Sequence, residues 1–146
     1  MTTQTEATTE IRELAQRYGE AWNSQDLDAI MELHSDDSVF VLHAAGSVPA
    51  EGKKAVREAF AGYIAVLPDI NFAERALHVG DDHWVLESTM SGTAAGSIEV
   101  DGEALGTQGA RVEVDCVDVI EVRDGLVTSK QTYLDSQAME RQLGGE

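Results

Sequence analysis

The chain has 146 residues, 42% of them hydrophobic, and carries 27 Asp and Glu against 10 Lys and Arg for a formal net charge of −17. That length suits one domain with a real core, and the charge repels phosphate backbones and anionic lipid surfaces, so neither nucleic acid nor membrane is an expected partner. No apolar run approaches the roughly 20 residues needed to span a bilayer, the polar start MTTQTEATTE lacks a secretory signal, and a single cysteine, Cys116, fits a reducing cytoplasm.

Residues 1–8 are Thr-rich and are expected to form a disordered tail ahead of one domain over 9–143. Ile11, Leu14, Ala15, Tyr18, Ala21 and Trp22 then recur at helical spacing. Asn23-Ser24-Gln25 interrupts that pattern, and Ser24 is placed to cap a short second helix carrying Leu27, Ile30, Met31 and His34. Ser35-Asp36-Asp37 reads as a turn, and Ser38 to His43 as a short strand. A Gly/Pro loop over 44–52 leads to a third helix, about 53–67, with Val56, Phe60, Ile64 and Leu67 along one stripe and Pro68-Asp69 ending it.

From there the chain reads as strand and turn. Ile70 to Val79 and Trp84 to Gly92 flank a Gly80-Asp81-Asp82 turn. A Gly-rich excursion over 93–109 holds the hairpin signal Asp101-Gly102. Val112 to Val122 turns at Asp124-Gly125 into a last strand, Leu126 to Leu134, and the stretch from Asp135 onward begins as helix. Helices followed by an antiparallel meander give an α+β fold, a curved, cone-shaped sheet wrapped by three N-terminal helices around a cavity.

The strand VEVDCVDVIEV breaks its own alternation once. Its even positions are Val112, Val114, Cys116, Asp118, Ile120 and Val122, so one carboxylate stands on an otherwise apolar, inward face. A charge there is costly unless paired or kept protonated, and such groups concentrate in catalytic cavities; the other reading is a carboxylate bonded to its neighbours for structural reasons. Val117 and Val119 make the outer phase apolar as well, which points to a homodimer contact on the convex face.

The phrases RYGEAWNSQDLDAIMELHSDD, GKKAVREAF and DVIEVRDGLVTSKQTYLD resemble the nuclear transport factor 2-like superfamily, nearest its ketosteroid isomerase and SnoaL-like polyketide cyclase branches. The resemblance covers about 11–143 and implies the cone fold, though that cone hosts many activities. It puts Tyr18 and Asp118 on the isomerase family's two hydrogen-bond donors to a developing enolate, an arrangement that serves as a standard illustration of a carboxylic acid kept neutral by its site. His34 falls where a second tyrosine supports the first, and Phe60 where another pocket aromatic lies. The family's proton-shuttling acid falls on Leu42, which cannot abstract a proton; His43 replaces it only if the strand slips by one residue. The acid of the epoxide-hydrolase branch falls on Thr132.

The same alignment turns Lys130 toward Asp118, where it would favour the ionised carboxylate; the alternative is a lysine snorkelling at the rim. The expected catalytic residues are therefore Asp118, Tyr18 and His34, and the expected substrate-binding residues are Trp22, Phe60, Leu42, Leu86, Met90 and Lys130. His34, His43, His78 and His83 share no metal-ligand spacing, and no phosphate or dinucleotide motif is present, so neither metal nor cofactor is expected. The function these residues suggest is a cofactor-independent isomerase, cyclase or lyase using general acid–base chemistry on a small hydrophobic, oxygenated molecule of polyketide or steroid type. The competing reading is a non-catalytic domain that binds a ligand or a partner protein.

Overall fold

The computed structural model describes residues 4–44, 47–95, 97–100, 103–106 and 109–144. In chain order its elements are α1 (Gln4–Asn23), α2 (Leu27–Glu32), β1 (His34–Leu42), β2 (Ala50–Glu51), α3 (Lys53–Val66), β3 (Asn71–Val79), β4 (His83–Thr93), β5 (Ser97–Val100), β6 (Glu103–Gly106), β7 (Arg111–Arg123), β8 (Leu126–Leu134) and α4 (Ser136–Gln142). Among the described residues six strands form one mixed sheet in the order β2-β1-β8-β7-β4-β3, in which only β1 and β8 run parallel; β5 and β6 pair separately. This is the α+β fold expected from the pattern of elements.

Three register shifts curve the sheet, between His34 and Val39, Glu74 and Ala76, and Glu121 and Val122. An extra residue on one strand bends it and increases its twist. The concave face then closes over α1 and α3, which bury Ile11, Leu14, Tyr18 and Trp22 from one helix and Val56 and Phe60 from the other. Full burial of each such side chain stabilises by about 1.5–3 kcal/mol.

Four local expectations change. α1 starts at Gln4, so it takes in residues 4–8, where the polar composition alone suggested no structure. Asp26, not Ser24, caps α2, its carboxylate accepting from Ala29 N at 3.1 Å, because Gln25 turns through a left-handed φ of 53° and delays the helix start. His34 is not on that helix: it opens β1, and Ser35-Asp36-Asp37 continues the strand across the bulge instead of turning. The polar run is tolerated because those residues lie toward solvent while His34 and Ser38 point inward. The Asp101-Gly102 signal lies outside the described residues, although the strands on either side of it pair with each other.

Elsewhere the pattern holds closely. The Asp124-Gly125 turn has both residues at positive φ, 53° and 76°, as a tight hairpin between right-twisted strands requires. In β7 Val112, Val114, Cys116, Asp118 and Ile120 are all buried, whereas Glu113, Asp115 and Glu121 are exposed.

Candidate active site

Sheet register assembles the polar cluster. On β7 and β8, Asp118 lies directly opposite Thr132, and Ile120 opposite Lys130, so Lys130 is the diagonal neighbour of Asp118 on the same face. Pairing of β1 with β8 puts Leu42 beside Thr132 and Phe40 beside Lys130, and pairing of β4 with β7 sets Leu86 opposite Asp118. One row across the inner face therefore reads Leu42, Thr132, Asp118, Leu86.

Asp118 is 2% exposed and Lys130 4%. Lys130 Nζ donates to Asp118 Oδ1 at 3.1 Å, and the Thr132 hydroxyl donates to the same oxygen at 2.5 Å. Asp118 and Lys130 are thus set in an ion-pair arrangement, with one carboxylate oxygen shared between the ammonium and the Thr132 hydroxyl. Burial alone would pull the Lys130 ammonium down, but the Asp118 carboxylate, helped by Tyr18 and Cys116, more than offsets it and the net shift is upward. The ammonium also lies 5.3 Å, 5.2 Å and 5.9 Å from the ring centres of Tyr18, Trp22 and Phe72, within cation–π range of all three. Lys130 is therefore buried among aromatics, not snorkelling at a rim. Cys116, beside Asp118, is pushed up to about 12 by burial and then by that carboxylate, and stays a thiol.

A second polar chain backs the first. Tyr18 Oη and His34 Nε2 are 2.9 Å apart, and His34 Nδ1 is 3.2 Å from Ser38 Oγ. Burial, then Lys130 and Lys53, push the His34 imidazole down to about 3, so the ring is neutral near pH 7. A neutral imidazole has one donor and one acceptor nitrogen, so a proton entering at one end of this chain can leave at the other. Burial raises the Tyr18 phenol against the opposing pull of Lys130.

The helix that brings Tyr18 and Trp22 here is fixed at its C-terminal end. Asn23 exchanges two hydrogen bonds with the Phe72 backbone, at 3.1 Å and 2.7 Å, and Gln25 donates to Ile70 O at 2.7 Å. Trp22 consequently packs edge-on against Phe72 and Phe60, with ring centres 5.6 Å and 4.8 Å away.

In front of the cluster lies a cavity of about 110 Å³. Trp22, Leu42, Phe60, Met90 and Lys130 are among the residues that line it. Leu86 does not; it stands at the far end of the Asp118 row, half-buried against the core. Tyr18, His34 and Asp118 come together but form the layer behind the lining, which Lys130 and Thr132 separate from the open space. Thr132 escaped the sequence reading because it was weighed only as a missing acid; its place in the inward phase Lys130, Thr132, Leu134 was the available signal. His43 points outward, stacked on Tyr133 at 4.0 Å and bonded to Gln131 at 2.9 Å, so no strand slip turns it into a base.

A curved mixed sheet closed by helices over such a cavity defines a nuclear transport factor 2-like fold. The SnoaL-like domain profile matches residues 15–130, and the chain belongs to that family. Among solved structures it is similar to a candidate SnoaL-like polyketide cyclase from Jannaschia sp. CCS1 (18% identity, 100% of this chain and 99% of that one, TM-score 0.83). It is also similar to IdmH, a candidate polyketide cyclase from Streptomyces antibioticus (24%, 91% and 97%, 0.71). A protein with a ketosteroid isomerase-like fold from Catenulispora acidiphila, solved with trimethylamine, is a further neighbour (19%, 90% and 92%, 0.73). No curated protein sequence matches significantly.

Proposed function

We propose that this protein is a cofactor-independent isomerase, cyclase or lyase that moves protons by general acid–base chemistry on a small hydrophobic, oxygenated molecule. The observation that carries the reading is the Asp118–Lys130 ion pair, whose lysine lines an apolar, aromatic cavity with the carboxylate directly behind it. A buried ion pair is a poor source of stability, since desolvation consumes most of its attraction, and perturbed buried charges concentrate at catalytic sites. In this reading Lys130 stabilises negative charge developing on a substrate oxygen, as a preorganised donor in a dry site does. Thr132, in the lining and 2.5 Å from Asp118, passes the abstracted proton to that carboxylate. The Asp118 carboxyl returns that proton through Thr132 to the product, while Tyr18, bonded to His34 behind the lining, holds its ring under the Lys130 ammonium. Leu42, where the related isomerases carry their base, keeps the classical steroid reaction out of reach.

The relatives' names support polyketide-like substrates over amines. An amine such as the trimethylamine of the Catenulispora protein would meet Lys130, a cation already facing the aromatic rings. The binding-only alternative draws on one observation: Tyr18, His34 and Asp118 stand behind the lining rather than in it. Exchange of α-protons of small 1,3-diketones and β-keto esters in D2O, followed by NMR, separates the two. The folded wild type should accelerate exchange, and Asp118→Asn, with folding checked by circular dichroism, should lose about 100-fold or more, the ordinary worth of a positioned base. A folded wild type that leaves every compound at the buffer rate sinks the enzymatic reading.

We further infer a cytoplasmic homodimer formed through the convex face. Val117 and Val119 are half-buried on that face, and Tyr133 is 43% exposed beside them. Sedimentation should give a dimer for the wild type at micromolar concentration and a monomer for Val119→Glu. A monomeric wild type removes this inference.

A further inference from the structure

Two groups in the cavity lining, the Lys130 ammonium and the Trp22 indole, are pure donors with N–H groups left unmatched, and they say what kind of ligand atom belongs there. Among the described residues Lys130 Nζ has one hydrogen-bond acceptor, Asp118 Oδ1, and otherwise faces aromatic rings. An ammonium has three N–H donors, so two lack a lone pair to bond. Trp22 lines the same cavity, is 4% exposed, and its indole Nε1 has no hydrogen-bond partner. Leaving a buried donor unmatched is destabilising, and indole N–H groups usually find a partner when buried. The indole is held edge-on between Phe60 and Phe72, so it cannot swing away to find one elsewhere. That N–H works against burial in lowering the Tyr18 phenol, but no hydrogen bond is made between the two. The Lys130 ammonium lies over both the Tyr18 and the Trp22 rings.

We propose that the Trp22 indole N–H and the unbonded N–H groups of Lys130 form an oxygen-binding subsite, and that the ligand is therefore one presenting a carboxylate, enolate or carbonyl oxygen to them on an otherwise apolar body. This rests on the acid–base reading and deepens it: Trp22 becomes a specificity-determining residue that touches the substrate oxygen, with a role distinct from the packing of its ring. The cavity of about 110 Å³ holds about seven to eleven water-sized groups at about 10–15 Å³ each. That is room for one ring with a polar substituent, with no need to displace the wall.

Isothermal calorimetry with three probes of one shape tests this without reference to turnover: benzoate, benzylamine and toluene. The buffer should be 0.15 M in salt, where the Debye length of about 8 Å screens the acidic surface. Benzoate should bind at least tenfold tighter than benzylamine, a gap of about 1.4 kcal/mol, and tighter than toluene. Trp22→Phe, which keeps a ring and deletes the donor, should weaken benzoate binding five- to tenfold and change toluene binding less than twofold. Benzylamine binding as tightly as benzoate to the wild type would overturn the subsite, a result that needs no variant to fold. Equal benzoate affinity in a folded Trp22→Phe would remove Trp22 from it. Failure here, with proton exchange still catalysed and still dependent on Asp118, would refute the subsite alone. Success here with no exchange by the wild type would leave a carboxylate-binding protein and refute the enzymatic reading instead.

Discussion

Lys130→Met should lower folding stability by about 3–5 kcal/mol, because it leaves the Asp118 carboxylate buried without a counter-charge, held only by the Thr132 hydroxyl and the weakly donating Cys116 thiol. Asp118→Leu should cost a similar amount by stranding the Lys130 ammonium. The double variant Asp118→Leu/Lys130→Met should recover most of both losses, since two apolar side chains of similar size need no counter-charge and replacing a buried pair is often neutral or stabilising. What remains in the double variant is the Thr132 hydroxyl, which loses its acceptor and costs about 1–3 kcal/mol if it finds no other. Urea denaturation of the wild type, both single variants and the double variant gives the coupling directly, since residues in contact depart from additivity by the energy of their interaction. Single variants within 1 kcal/mol of the wild type would show a pair that water reaches. The double variant also separates stability from chemistry: it should fold, and on the acid–base reading it should be inert in α-proton exchange. A folded double variant that still exchanges protons at the wild-type rate would remove Asp118 and Lys130 from the mechanism together.

Much of this arrangement could be read in the sequence because it depends on strand parity. Alternation in VEVDCVDVIEV put Asp118 inward, but that period does not carry across the Asp124-Gly125 turn, where the hairpin pairs Val122 with Val127. The register shift between Glu121 and Val122 is what brings Lys130 and Thr132 back to the Asp118 face, so Lys130 was legible from the family alignment and not from parity. The helical stripe did the same for Tyr18 and Trp22, which are one turn apart on α1. Parity identifies a face but not a depth. Whether Asp118 opens into the cavity or lies behind it depends on how the lysine side chain threads between Trp22 and Phe72, and no periodicity encodes that. Leu86 shows the same limit from the other side: it has the inward parity of the site, yet β4 carries it past the end of the cavity.

The stretch 33–38 was misread for a different reason. LHSDDS has the polar, turn-forming composition of a loop, and its strand character comes from partners far along the chain: Leu33 O accepts from Val127 N at 2.8 Å, and Ser38 O from Gly52 N at 2.8 Å. Tertiary hydrogen bonding overrides local propensity there. It also moves His34 from a helix end into the cluster, where it meets Tyr18 and Phe60. The resemblance to the isomerases had already brought His34 and Tyr18 together, although the local reading of the helix end had not.

That relocated histidine should make the fold acid-sensitive. Burial, Lys130 and Lys53 hold the His34 imidazole down to about 3 in the folded chain, whereas the unfolded chain protonates it near the ordinary 6.5. Below pH 6.5 the unfolded state therefore binds more protons than the folded one, and stability falls as pH falls until the folded-state value is reached. At about 1.4 kcal/mol per pH unit, the window from 6.5 to 3 carries a loss on the order of 4–5 kcal/mol from this one residue. The alkaline side has the opposite origin. Lys130 and Tyr18 are both raised in the folded chain, so the unfolded state releases their protons first and stability declines as pH rises above about 10. Surface carboxylates add their own acid dependence, so the measurement is a difference. Urea midpoints of wild type and His34→Gln between pH 4 and 7.5 should diverge from Gln as the flatter curve, with the gap opening below pH 6.5. Parallel curves across that window would mean that the Tyr18–His34–Ser38 chain accepts a proton without penalty, and that His34 is open to water in the folded protein.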